Sequence, residues 1–307
     1  MQSIEGLVER LIGRPEENGY VDRERALGEL VEEGAEAVPA LVGALEYRPC
    51  HVRWRVARAL GKIGGADAID ALLRLLEDPC RWVRDEASAA LRGIGAPAVG
   101  SLVESVRSGR GFDRAKTRLK TISGHAAVPP LVSLLEVGSK PERDRAREAL
   151  SSIGWPAVEL LVEKLYAKGR VRHSAAETLG MIGTPALELL LDVMDRCPHA
   201  RPRKEAAVAL GIIGDRKAVP SLIRALQPPK WNLCRAAAKA LGEIGDPGAA
   251  EALVECLGYQ GDYVREDAAR ALESIRGPEV IGALRKAKDH PSPAVRDRAE
   301  QALNRLT

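Results

Sequence analysis

Aromatic residues make up only 3% of this 307-residue chain, with a single Phe, four Trp and five Tyr. The core must therefore be built from small aliphatic side chains, which suits close-packed helices. Cysteine is also scarce: Cys50, Cys80, Cys197, Cys234 and Cys256 are odd in number and form no CxxC, which weighs against a disulfide framework or a zinc ribbon. No continuous apolar run approaches a membrane span, and the start "MQSIEGLVERLIGR" carries carboxylates where a signal peptide would be apolar, so a cytoplasmic protein is expected. Charge of one sign is lacking too. With 46 basic against 43 acidic residues the net charge is only +3, so an electrostatic partner must be recognised by a local patch. No Gly-rich phosphate loop, nucleophile elbow or convergent Ser/His/Asp set is present. Asn and Gln are few and Arg outnumbers Lys, a bias that fits a thermophile and a GC-rich genome equally well.

What the chain does have is a repeat. Leu recurs at 27, 60, 91, 119, 150, 179, 210, 241, 272 and 303, at spacings of 28 to 33 residues. Three residues after each comes another aliphatic (Leu30, Ile63, Ile94, Ile122, Ile153, Ile182, Ile213, Ile244, Ile275, Leu306), and four residues before lies Ala in eight copies. Positions −4, 0 and +3 form one apolar stripe of an α-helix. Breaks such as "IGAP", "IGWP" and "IGDP" follow, where Gly ends one helix and Pro opens the next. A second helix then carries aliphatics at i, i+3, i+4 and i+7, as in Val158, Leu161, Val162 and Leu165. Each repeat is a helical hairpin. The opening "SIEGLVERL" has the second-helix pattern and the closing "VRDRAEQALNRLT" the first-helix pattern, giving nine hairpins between two half units in a single domain over 1–307.

Units such as "VRDEASAALRGIG" with "AVGSLVESV", and "DPGAAEALVECL" after "ALGEIG", resemble HEAT-like repeats of the phycobilisome-lyase type over essentially the whole chain. The resemblance implies an all-α solenoid, a right-handed superhelix with the second helices lining its concave face. It implies a structural role for the Arg seven places before the marker Leu in seven copies: Arg53, Arg84, Arg143, Arg172, Arg203, Arg265 and Arg296. Similar repeats bond this Arg to acidic groups or carbonyls between units, as a ladder. In the stretch "GRVRHSAAETLGMIG", His173 and Glu177 share a helix face as a metal pair would. The position of His173, however, is Trp54, Asp85, Lys204 or Arg235 in other copies, which reads as a solvated surface site. Deoxyhypusine hydroxylases, HEAT-like iron enzymes, use repeated His-Glu pairs; here the Glu is Ser174 and no other copy has His, so no metal is expected. The phycobilin lyases attach a bilin to a partner's Cys. Cys50 with His51, Cys80, and Cys197 with His199 fall near unit-to-unit loops, but nothing in their placement specifies that chemistry, and no cofactor or catalytic residue is assigned.

Two surfaces depart from the repeat. In residues 105–124, Phe112 replaces the ladder Arg, Arg118 replaces the Ala that precedes most marker Leu residues, and Lys120 and Ser123 replace small neighbours. With Arg107, Arg110, Arg114 and Lys116 this makes a cationic cluster, a candidate for anion or nucleic-acid phosphate binding or a degenerate unit with solvated cations. On the second helices, residues one and five places after the first aliphatic should face away from the core, and there Glu104, Glu159, Glu163, Glu188 and Asp192 gather as a strip suited to a basic segment of a protein partner. The expected function is a non-enzymatic scaffold binding a macromolecule, most plainly a protein, with a lyase-like chromophore chaperone and polyanion binding as the alternatives.

Overall fold

The apolar stripes fold as their period dictates, and the computed structural model describes residues 3–13, 20–46, 49–122, 124–227 and 230–306. Among these residues all regular structure is helical, and contacts group into two units, Met1–Ala127 and Val128–Thr307. In the first unit α1 (Ile4–Ile12) precedes the pairs α2 (Tyr20–Glu33) with α3 (Val38–Gly43), α4 (Cys50–Ile63) with α5 (Ala66–Leu75), and α6 (Arg81–Ile94) with α7 (Ala96–Ser108), then α8 (Phe112–Ile122). Helix α9 (Gly124–Val137) follows. The second unit continues with α10 (Lys140–Ile153) and α11 (Val158–Lys164), α12 (Val171–Ile182) and α13 (Leu187–Arg196), α14 (Ala200–Ile213) and α15 (Val219–Ala225). It closes with α16 (Trp231–Ile244) and α17 (Ala250–Cys256), α18 (Asp262–Ile275) and α19 (Pro278–Lys286), and a last first-type helix, α20 (Pro293–Leu306). This is the hairpin repeat read from the sequence, with a second-type half unit at the start and a first-type half unit at the end.

Every marker Leu is buried, from Leu27 to Leu303, and so are the leading aliphatics Val38, Val158 and Val219 of second helices. The +3 stripe behaves differently. Ile63, Ile94, Ile182, Ile213, Ile244 and Ile275, each the last residue of its helix, are only half-buried, whereas Ile153 at the end of α10 and Leu30 within α2 are buried. Beyond it the chain reverses on a left-handed residue: Gly214 (φ 73°) and Gly245 (φ 72°) return their N–H groups to the carbonyls of Leu210 and Leu241.

First helices of successive repeats pack side by side through small residues. A Cβ added to Gly61 would lie 2.5 Å from Ala90 Cβ, one added to Gly211 would lie 2.9 Å from Ala240 Cα, and one added to Gly242 would lie 2.9 Å from Ala271 Cα. The residue after one marker Leu thus meets the Ala before the next. At α6 and α8 this pairing is Arg92 with Arg118, two side chains too large for close approach; α8 packs mainly on α7 and touches α6 only slightly.

The contact predicts opposite signs at one repeat position. Gly242→Ala costs about 1–3 kcal/mol by overpacking against backbone. Gly28→Ala, at a helical site with nothing within 4 Å of the new Cβ, gains about 0.4–1 kcal/mol by restricting the unfolded chain. Leu210→Ala, which empties the buried stripe, costs about 2–5 kcal/mol. Denaturant midpoints of the three variants against the parent chain check this.

Candidate functional site

The arginines at the starts of first helices turn back onto the loops that precede them. Arg84 donates to the carbonyls of Asp78 (2.7 Å) and Pro79 (3.0 Å), and Arg143 to Gly138 (2.7 Å). Arg172 donates to Ala167 (2.9 Å), Arg265 to Tyr259 (2.7 Å), and Arg296 to His290 (2.8 Å) and Pro291 (3.1 Å). These carbonyls lie between the end of a second helix and the next first helix, where intrahelical donors run out. A cation at a helix N-terminus opposes the macrodipole, and the loop oxygens compensate it. Arg53 instead grips both carboxylate oxygens of Asp78 (2.6 and 2.9 Å), so Arg53 and Arg84 meet on one residue. Arg203 departs from the pattern, its Nε buried without a hydrogen-bond partner.

His173 belongs to a second set of links between first helices. Its Nδ1 lies 3.2 Å from Glu205 of α14, and its Nε2 3.5 Å from Glu177. Arg235 of α16 makes the equivalent bond to Asp267 of α18 at 2.8 Å, and both acceptor carboxylates are buried. His173 is exposed, as a surface position should be, yet it bonds the next helix. Sequence variety at that position conceals the link, because the partner acid is one repeat away.

The five acidic candidates are all exposed. Glu104, on α7 in the first unit, lies 3.5 Å from Arg107, Asp192 lies 3.0 Å from Arg196, and Glu188 lies 4.0 Å from Lys217. Glu159 and Glu163, neighbours on α11, have no cation within ion-pair distance among the described residues. Lys164, adjacent in sequence, is drawn away to Glu136 at 2.6 Å. On α17 the corresponding carboxylates have near partners, Glu251 with Lys286 (3.1 Å) and Glu255 with the His290 ring (3.4 Å).

The cationic candidates divide. Arg110, Arg114 and Arg118 line a groove of about 360 Å³ with Arg74 and Asp70. Glu77 takes two of these cations, Arg118 at 3.2 Å and Arg114 at 3.4 Å. Burial pulls the Arg118 guanidinium down from its ordinary value, opposed by Glu77. Lys116 lies over the Phe112 ring at 5.0 Å and 3.5 Å from Asp113; Lys120 is exposed, and Arg107 faces Glu104. Ser123 lies outside the described residues.

A family model described as HEAT repeats matches residues 4–92, 128–211 and 187–273, which is most of the chain. The chain belongs to the HEAT repeat family. Within this HEAT repeat protein, residues 264–290 also match the PBS lyase HEAT-like repeat. No curated protein matches it. Similar solved structures include human deoxyhypusine hydroxylase in complex with glycerol, at 21% identity over 98% of this chain and 94% of that one, TM-score 0.32. The complex of CpcE and CpcF of phycocyanin lyase from Nostoc sp. PCC7120 is 20% identical over 100% of this chain and 96% of that one, TM-score 0.26. Kap121p bound to Ste12p is 13% identical over 97% of this chain and 40% of that one, TM-score 0.43. No helix of the described residues is long and apolar enough to cross a membrane, and among them no group of three or more His, Cys, Asp or Glu could hold a metal ion.

The rung at Asp78 generates a pH-dependent prediction for the HEAT array. The hydrogen bonds from Arg53 hold the Asp78 carboxyl below the usual carboxylate range against its burial, with the Cys80 N–H and the Arg84 charge adding to the effect. A depressed folded value means that the contribution is complete above the unfolded value and is lost as pH falls through the folded one. Asp78→Asn should cost about 1–3 kcal/mol near neutral pH by removing the charge from the bonds that Asp78 accepts from Arg53. The gap from the parent chain should close progressively below about pH 4. Guanidinium titrations across that range measure it.

Proposed function

We propose that this HEAT repeat protein is a non-enzymatic cytosolic scaffold that takes a basic segment of a protein partner on its second helices, centred on Glu159 and Glu163 of α11 and continued by Glu188 and Asp192 of α13. The observation that carries the reading is the uncompensated pair on α11. Like charges at i and i+4 cost a helix roughly 0.2–0.5 kcal/mol, whereas on α17 Glu251 has Lys286 at 3.1 Å and Glu255 has the His290 ring at 3.4 Å. Two exposed carboxylates left without a cation, next to a Lys turned toward Glu136, form an acceptor for a partner's Arg or Lys. Charge on such a surface sets encounter rate and register more than bulk affinity. The repeat supplies a long, regular face for an extended segment.

The test uses a fluorescent Lys/Arg-rich peptide as probe. Replacing Glu159, Glu163 and Glu188 with Gln and Asp192 with Asn should leave the melting temperature unchanged or raise it. The same change should weaken peptide binding roughly tenfold, as the sum of four exposed pairs predicts, and flatten its salt dependence. Glu251→Gln with Glu255→Gln, on the compensated strip, should have a smaller effect. Equal peptide affinity for the parent chain and the quadruple variant, at low and physiological salt, removes α11 and α13 as the binding surface.

A further inference from the structure

Three first helices of the second unit begin around one groove of about 480 Å³, lined by Arg172 of α12, Arg201 and Lys204 of α14, and Lys230 and Trp231 of α16. Four cations share it with one carboxylate, Glu205. That carboxylate is already engaged, by Lys204 at 3.2 Å and by the His173 ring at 3.2 Å. Arg172 donates to the Ala167 carbonyl, a neutral group, and Arg201 and Lys230 are exposed with no acid within 4.0 Å among the described residues.

Backbone donors open onto the same groove. The residues before α14 and α16 are His199 and Lys230, and neither side chain caps its helix. At α16 the N–H groups of Leu233 and Cys234 reach the Lys230 carbonyl, at 2.9 and 3.0 Å, but those of Trp231 and Asn232 have no acceptor among the described residues. The Ala200 and Arg201 N–H groups of α14 are likewise open. All four of these residues line the groove. A helix start ordinarily takes a capping oxygen or an acid, and at α18 Asp262 in the first turn is paired with Arg265. At α14 and α16 the leading charges are Arg201 and Lys230, so side-chain charge and helix dipole add instead of cancelling.

We infer that this groove is a site for a phosphate group, free or carried on a phosphorylated side chain. A phosphate monoester brings a charge of about −1.5 to −2 at neutral pH and three strong acceptor oxygens. A carboxylate, with one charge and two oxygens, leaves most of the open N–H groups and the two unpaired cations unanswered. The donors are fixed before any ligand arrives, because α14 and α16 are in close contact where Gly211 meets Ala240. The Trp231 ring, 38% exposed and set edge-on to Tyr259 at 6.1 Å, gives the carbon chain that carries a phosphate an apolar wall. The groove is opposite in sign to the acidic strip and uses other residues, so it stands whether or not α11 and α13 bind a basic segment.

The experiment is calorimetry on the folded full-length chain at fixed ionic strength, titrated with inorganic phosphate and, separately, with a phosphoserine peptide. Saturable binding at one site per chain is expected. Tighter binding of the peptide identifies a phosphorylated segment as the ligand; tighter binding of inorganic phosphate identifies the free ion. Arg201→Gln with Lys230→Gln should weaken the binding roughly tenfold. Ala200→Pro removes one backbone donor and no charge, since proline suits the first position of a helix and His199 before it is already extended. It should weaken binding severalfold at an unchanged melting temperature, which diffuse surface charge would not produce. Glu205→Gln should strengthen binding by removing the one carboxylate, even as loss of the charged link to His173 lowers the melting temperature. No saturable binding of either probe at millimolar concentration, unchanged affinity in the double variant, or equal affinity for a peptide with Asp in place of phosphoserine overturns the inference.

Discussion

The close approach of first helices through Gly and Ala is the constraint on which the rest of the packing depends. Where Gly242 faces Ala271, an added methyl would lie 2.9 Å from a backbone carbon, so the helices are as near as their backbones allow. At that spacing the marker Leu residues interlock, and Leu210, Leu241 and Leu272 are fully buried. The chain's poverty in aromatics follows from the same geometry, since rings cannot be accommodated between helices that touch at Gly and Ala. Large aromatics are pushed outward instead: Trp82 is 73% exposed and Tyr263 is 67% exposed.

That constraint was legible because it acts at a fixed position within each repeat. Ten Leu residues with an aliphatic three places later define the first helices, and Gly with Pro defines the breaks. Legibility fails for contacts that join different positions of different repeats. Glu205 gives no sign in the sequence that His173 is its partner, since Arg235 and Asp267 make the equivalent bond with other residue types. The acidic strip was readable as composition, but not which of its carboxylates were already compensated. That depends on where Lys164, Lys217 and Lys286 reach, and long flexible side chains select partners by local geometry rather than by sequence distance.

Charge in this protein is managed locally. The net excess of +3 conceals many exposed ion pairs, each worth little alone. In a few the carboxylate is buried, and there removing the arginine leaves a poorly solvated acid. Arg53 with Asp78, and Arg235 with Asp267, are of this kind. Glu159 and Glu163 are adjacent exposed carboxylates on one helix with no cation within 4.0 Å among the described residues, while the neighbouring Lys164 is taken by Glu136.

The repeat also separates roles by element. First helices spend their small residues on packing and their first-turn arginines on loop carbonyls, so little on them is free to vary except at their outer ends. In the second unit the second helices from α11 to α17 present exposed residues one and five places after their first aliphatic. Substitution there changes the surface without disturbing the Gly–Ala contacts. The loop between α5 and α6 is different again: Asp78 within it is held by Arg53 of α4, by Arg84 of α6 and by the Cys80 N–H.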